Sequence, residues 1–156
     1  MRGLQDEQLI TIVGLPKRMK SSYLLAMAMS ATAFGNRAGL VSYEMSNTEQ
    51  QARWMSLGSE VNLSRMQRGL LNDKEIARLY EFEELITDGG FGELLFIHDI
   101  NGSSTVDGLS AKHDQHGFDI LFVDGLYLME DQFGEPQGSS AALTNITRCL
   151  LYTSPS

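Results

Sequence analysis

Four short apolar runs punctuate the chain: LITIV (9–13), GLVSY (39–43), ELLFIH (93–98) and DILFVD (119–124). They are rich in Ile, Leu, Val and Phe and do not alternate strictly with polar residues, which is the pattern of parallel strands covered on both faces. Between them the spacing changes to a helical period. A helix is predicted from the segment after Val13 to about Ala33, ending before Gly35-Asn36. Ser46 and Glu49 have capping-box spacing and open a second helix through Trp54 and Leu57. Asn72 and Glu75 mark a further start, with Ile76, Leu79, Tyr80, Glu83 and Ile86 on one face and Gly89-Gly90 as its end. A shorter helix is expected from about Val106 to Gln115. Strands alternating with helices predict an α/β domain with a mainly parallel sheet. Trp54, Tyr80 and Phe82 are expected in its core.

Ligands of such sheets bind beyond the carboxyl ends of the strands, where Gly14, Glu44, His98 and Asp124 all fall. The stretch GLPKRMKSS, Gly14 to Ser22, lies between the first apolar run and the first helix. It follows the phosphate-loop pattern G-x-x-x-x-G-K-[ST] except that Met19 stands where the second glycine belongs. In a working loop, backbone N–H groups and the free helix N-terminus surround an anion. Lys20 would then reach the β- and γ-phosphates of a nucleotide, and the Ser21 hydroxyl would be a ligand of Mg²⁺. A basic turn without a ligand is the competing reading, because a side chain at position 19 obstructs backbone geometry that glycine permits.

Asp124 closes ILFVD in the Walker B arrangement, a carboxylate at a strand tip that holds Mg²⁺; a turn-forming aspartate before Gly125 is the alternative. Glu44 is read either as an acid favoured by the dipole of the helix that Ser46 caps, or as a general base that polarises the water attacking a γ-phosphate. His113 and His116 are expected to be exposed polar residues at a helix end rather than metal ligands. Arg53, Arg65, Arg68, Lys74 and Arg78 are interspersed with acids, which points to a solvated surface.

The 156 residues, 42% of them hydrophobic, suit one core and one domain. A formal charge of −8 disfavours broad electrostatic binding of nucleic acid, so any contact with DNA has to be local. Cys149 is the only cysteine, which excludes an intrachain disulfide and agrees with a reducing cytoplasm. MRGLQDEQ has no apolar core of a signal peptide. The apolar stretch from Leu24 to Phe34 is too short for a membrane span and is interrupted by Ser30 and Thr32.

Taken together, these segments resemble the RecA-like ATPase domain of DnaB-type replicative hexameric helicases, especially the bacteriophage versions. The segments that carry the likeness are GLQDEQLITIVGLPKRMKSS, VSYEMSNTEQQARWMSLGSEVNLSRMQRGLLNDKE, LFIHDINGSSTVDGL, FDILFVDGLYLMED and LTNITR, in that order from about Gly3 to Arg148. The resemblance implies a RecA-like P-loop NTPase fold using ATP and Mg²⁺. It makes Gly14, Leu15, Pro16, Lys17, Arg18, Met19, Lys20, Ser21 and Ser22 the phosphate loop. Ser21 and Asp124 become the metal ligands, and Glu44, with Lys20, the catalytic pair. It further implies a homohexameric ring on single-stranded DNA, with a primase or helicase loader as candidate partner and no membrane association. The segment from Glu130 to Ala142 corresponds to a DNA-facing loop of the family, although Glu130, Asp131 and Glu135 make it acidic here.

In that family further strands follow LTNITR, bearing a sensor residue, a second DNA loop and the arginine that completes a neighbour's site. Here the chain ends CLLYTSPS. The expectation is therefore a partial ATPase domain over 1–148, with its last sheet strands missing, and a non-native or disordered tail over 149–156. Unwinding activity is not expected of such a fragment alone. A different RecA-like ATPase, such as a recombinase or a ring-forming regulatory ATPase, is one alternative. A structural subunit whose nucleotide site Met19 has disabled is the other.

Overall fold

The computed structural model describes residues 8–15, 18–98 and 104–153. The elements run α1 (Lys20–Ala33), β1 (Ala38–Ser42), α2 (Asn47–Gly58), α3 (Leu63–Gln67), α4 (Asp73–Asp88), β2 (Leu94–Ile97), α5 (Val106–His116), β3 (Ile120–Asp124), a 3-10 turn (Leu126–Leu128) and α6 (Ser140–Thr153). The three strands form one parallel sheet in the order β2-β1-β3. Pairing of β1 with β3 runs from Ala38 opposite Ile120 to Ser42 opposite Asp124, so these two strands end level.

Every residue of the central strand β1 is buried. Successive side chains point to opposite faces of a strand, and the core divides accordingly. Leu40, Phe122 and Phe96 pack with Leu25 and Ala28 of α1, Trp54 of α2 and Phe82 of α4. Val41 and Ile97 pack on the other face with Leu109 of α5 and Ile146 of α6. Burial of both faces explains the missing alternation in these runs. Trp54 sits at the middle of the first cluster, 6.2 Å from the ring centre of Phe82 and 6.1 Å from that of Phe96. Gly58 lets α2 and α4 meet, because a Cβ there would come within 2.0 Å of the Phe82 ring.

Capping follows the expected sites. The Ser46 side chain accepts from Glu49 N, and Asn72 and Glu75 form a reciprocal capping box. Arg65 binds Glu75 through two contacts of 2.9 Å, tying α3 to the start of α4.

Two expectations are corrected. The run LITIV is not a strand: residues 8–15 have no regular structure, and Leu9, Ile10 and Val13 are exposed. A strand exists only where a neighbour accepts its backbone bonds, and among the described residues this run pairs with no strand of the sheet. On α4 the packed stripe is Leu79, Phe82 and Ile86, whereas Ile76 and Tyr80 face solvent. Tyr80 is therefore not a core residue. Leu79 and Ile86 of the expected face are packed, and Phe82, expected in the core, joins them by filling the space left by Gly58.

Candidate functional site

The expected site residues gather at the carboxyl end of β1 and β3 and the amino end of α1. The loop leads in as extended backbone at Gly14 and Leu15; Pro16 and Lys17 lie outside the described residues. Arg18 and Met19 form a bend, and α1 begins at Lys20. Met19 has φ 59° and ψ 22°, the left-handed conformation. This is the position where the motif has glycine, and the backbone takes a shape suited to glycine with a methionine side chain on it. The side chain itself is 74% exposed.

A non-glycine residue in this conformation costs roughly 1–2 kcal/mol, while glycine at the same place adds about 0.5–1 kcal/mol of unfolded-state entropy. Met19→Gly is therefore expected to stabilise the chain by about 0.5–1 kcal/mol, a rise in Tm of ~1–3 °C. A thermal melt checks this, and a lowered Tm would contradict a left-handed backbone at position 19.

No side chain caps the amino end of α1, and its first turn carries no acidic residue. Its free N–H groups, with Ser21 and Ser22 in that first turn, thus suit an anion. Lys20 folds back over the loop: its Nζ donates to Gly14 O at 2.9 Å and Leu15 O at 3.1 Å. Its stem passes 3.4 Å from the point a Cβ on Gly14 would occupy.

The loop and the strand tip meet where Ser21 and Asp124 line one small cavity. Burial pushes the Asp124 carboxyl above its ordinary range, and the nearby Glu44 adds to this; Ser21, Lys20 and the Gly125 backbone oppose it. The second oxygen, Oδ2, is buried with no hydrogen-bond partner. An orphaned buried carboxylate oxygen beside a hydroxyl is chemistry that fits a hard divalent cation such as Mg²⁺. Two more partnerless buried atoms, Gln50 Oε1 and Arg53 Nε, come from side chains that line the same cavity of about 10 Å³ as Ser21 and Asp124. That volume accommodates about one water.

Glu44 lies two residues beyond β1. The buried Ser42 hydroxyl accepts from Glu44 N at 3.3 Å and Met45 N at 3.0 Å, turning the chain toward α2. The Glu44 carboxylate accepts from the Tyr127 hydroxyl at 2.5 Å. His98 follows β2, its Nδ1 2.9 Å from Ser42 O. His113 and His116 are half-buried in the last turn of α5, with His116 stacked on Phe118, away from these strand tips. Of the arginines read as surface, Arg53 instead reaches the cavity beside Asp124 while its guanidinium holds Glu49 at 3.3 Å.

Tyr127, Ser42, Gln50 and Arg53 were not singled out from sequence as site residues. Gln50 and Arg53 follow Ser46 by four and seven, one helical face, which is the signal available for them. Tyr127 gave none, because its reach depends on the turn after Asp124.

A small all-parallel sheet flanked by helices, with a loop-to-helix junction at its carboxyl edge, agrees with a partial RecA-like fold. The family model described as DnaB-like helicase C terminal domain matches residues 1–152, and the chain belongs to that family. Comparison with curated proteins gave no significant match. Among the described residues no helix is long and apolar enough to cross a membrane.

Proposed function

We propose that the chain is the ATP-hydrolysing motor portion of a replicative DNA helicase that works as a homohexameric ring on single-stranded DNA in the cytoplasm. The observation that carries this reading is the meeting of Ser21 and Asp124 beside Lys20 in a DnaB-like chain. The loop from Gly14 to Ser22 holds the phosphates. Lys20 exchanges its bonds to Gly14 O and Leu15 O for the β- and γ-phosphate oxygens, so binding swaps contacts of like kind. Ser21 and Asp124 would hold Mg²⁺, which would supply charge neutralisation at the phosphates. Glu44 orients the attacking water and accepts its proton as the water oxygen bonds to the γ-phosphorus and the bond to the ADP oxygen breaks. A neighbour's arginine supplies the remaining charge stabilisation in the ring, and a primase or loader is the expected partner class.

Glu44→Gln keeps the size of the side chain and removes the base. With protein in excess over Mg–ATP, phosphate release is expected to fall by about 100-fold or more while affinity for Mg–ATP is retained. Equal release rates in the two proteins would overturn the role of Glu44. A structural subunit with a disabled loop is the second reading, favoured by the strained Met19 and by the closure of Lys20 on the loop carbonyls. Family membership favours the helicase reading over a recombinase or a ring-forming regulatory ATPase.

A further inference from the structure

The turn after β3 carries a side chain that the reading above leaves without a task. β3 ends at Asp124, and Gly125, at φ 82°, reverses the chain into the 3-10 turn Leu126–Leu128. Leu126 and Leu128 pack against the core, while Tyr127 between them is 47% exposed. The backbone bond from Tyr43 N to Asp124 O, 3.1 Å, continues the β1–β3 pairing past the strand ends, so the two tip segments are fixed to each other. Across this junction the Tyr127 hydroxyl donates to Glu44 Oε1 at 2.5 Å. Glu44 itself is exposed, and its stem passes close to Gly125, where a Cβ would lie 3.3 Å from Glu44 Cγ.

We propose that Tyr127 is a positioning residue for Glu44, holding one carboxylate oxygen so that the other is presented to the attacking water. The inference rests on the proposed function, in which Glu44 is the base. A glutamate side chain loses up to about 2 kcal/mol of rotamer entropy when fixed, and a base that must find its orientation in each cycle meets that cost at the reacting step. A donor on one oxygen and the Gly125 backbone against the stem meet it in advance. The other charges facing Glu44 agree with such an arrangement. Asp124 is the neighbouring acid, and Tyr127 feels both carboxylates; its hydroxyl is driven above the ordinary tyrosine range, first by its hydrogen bond to Glu44, and so stays a donor at neutral pH.

The test is Tyr127→Phe, which keeps the ring and removes the hydroxyl. Affinity of the full chain is measured for Mg–ADP and for Mg–ADP with aluminium fluoride, a mimic of the transferring phosphoryl group that also requires the oriented water. Mg–ADP affinity is expected to stay within twofold, and the aluminium fluoride complex to weaken about tenfold. Single-turnover phosphate release should slow by a similar factor. Equal affinities in both assays would overturn the positioning role alone, and a parallel loss in both would show a structural role instead. Failure of the unmodified chain to bind Mg–ADP would overturn the nucleotide reading and this inference with it. Independently of turnover, Tyr127 followed by tyrosine-ring ¹³C NMR should titrate at lower pH in Glu44→Gln. An unchanged titration would show that the bond is not formed in solution and would overturn the proposal.

Discussion

Lys20→Ala is expected to lose Mg–ATP binding by about 100-fold or more while the fold is retained. The ammonium lies along the loop, bonded to two of its carbonyls, and charge-assisted bonds to phosphate are each worth roughly 1.5–3 kcal/mol. At ~1.4 kcal/mol per tenfold, two such bonds account for the loss. The substitution should cost little stability, because the bonds it removes run to the backbone carbonyls of Gly14 and Leu15 in an exposed loop. The residues of α1 that hold the helix to the sheet, Leu25 and Ala28, are untouched. Titration of a fluorescent ATP analogue into both proteins, with a melt of each, checks the two halves of this expectation. Undiminished binding by Lys20→Ala would mean that the phosphates are held elsewhere.

Asp124→Asn is expected to move binding and stability in opposite directions. Loss of a metal-ligand charge should weaken Mg²⁺-dependent nucleotide binding by at least about tenfold to 100-fold. Stability without nucleotide should rise. Burial raises the Asp124 pKa in the folded state, so between its ordinary and raised values the folded chain binds more protons than the unfolded one. Stability from this group therefore falls as pH rises through that window, and the full penalty remains at neutral pH. Asparagine has no charge to desolvate, so the melt at neutral pH should shift upward by on the order of a few °C, and the acid-range slope due to Asp124 should vanish. A lower Tm with unchanged Mg²⁺ dependence would contradict both the cation site and the cause assigned to the pKa shift. Such a trade, in which a site is held against the stability of the empty fold, is what a buried carboxylate with a partnerless oxygen implies.

Much of this architecture was legible in the chain. GLVSY, ELLFIH and DILFVD became β1, β2 and β3, because burial on both faces writes continuous apolar runs. Ser46, Asn72 and Gly89 marked helix ends through side-chain or backbone chemistry that is local in sequence. LITIV failed for the opposite reason. Its composition is that of a strand, but pairing is a property of two segments, and its partner cannot be read from the run itself. Tyr80 failed because helical spacing put it on one face with Leu79 and Ile86, whereas the space left by Gly58 is filled by Phe82. At the site, the approach of Ser21 to Asp124 was foreseen from strand-end reasoning and motif spacing. The bond from Tyr127 to Glu44 spans 83 residues and depends on the reversal at Gly125, so no local pattern encodes it. Met19 is the clearest case of a sequence oddity given physical content. Its departure from the motif changes the side chain and not the backbone conformation, which stays left-handed at position 19 with the side chain exposed.

That distinction decides whether the chain handles nucleotide at all. The direct measurement is Mg²⁺-dependent binding of a fluorescent ATP analogue to the unmodified chain beside Met19→Gly, with both confirmed folded. Saturable binding by the unmodified chain that EDTA reverses, within about tenfold of Met19→Gly, is the predicted result. Binding by Met19→Gly alone would contradict it and leave a disabled loop in a structural subunit.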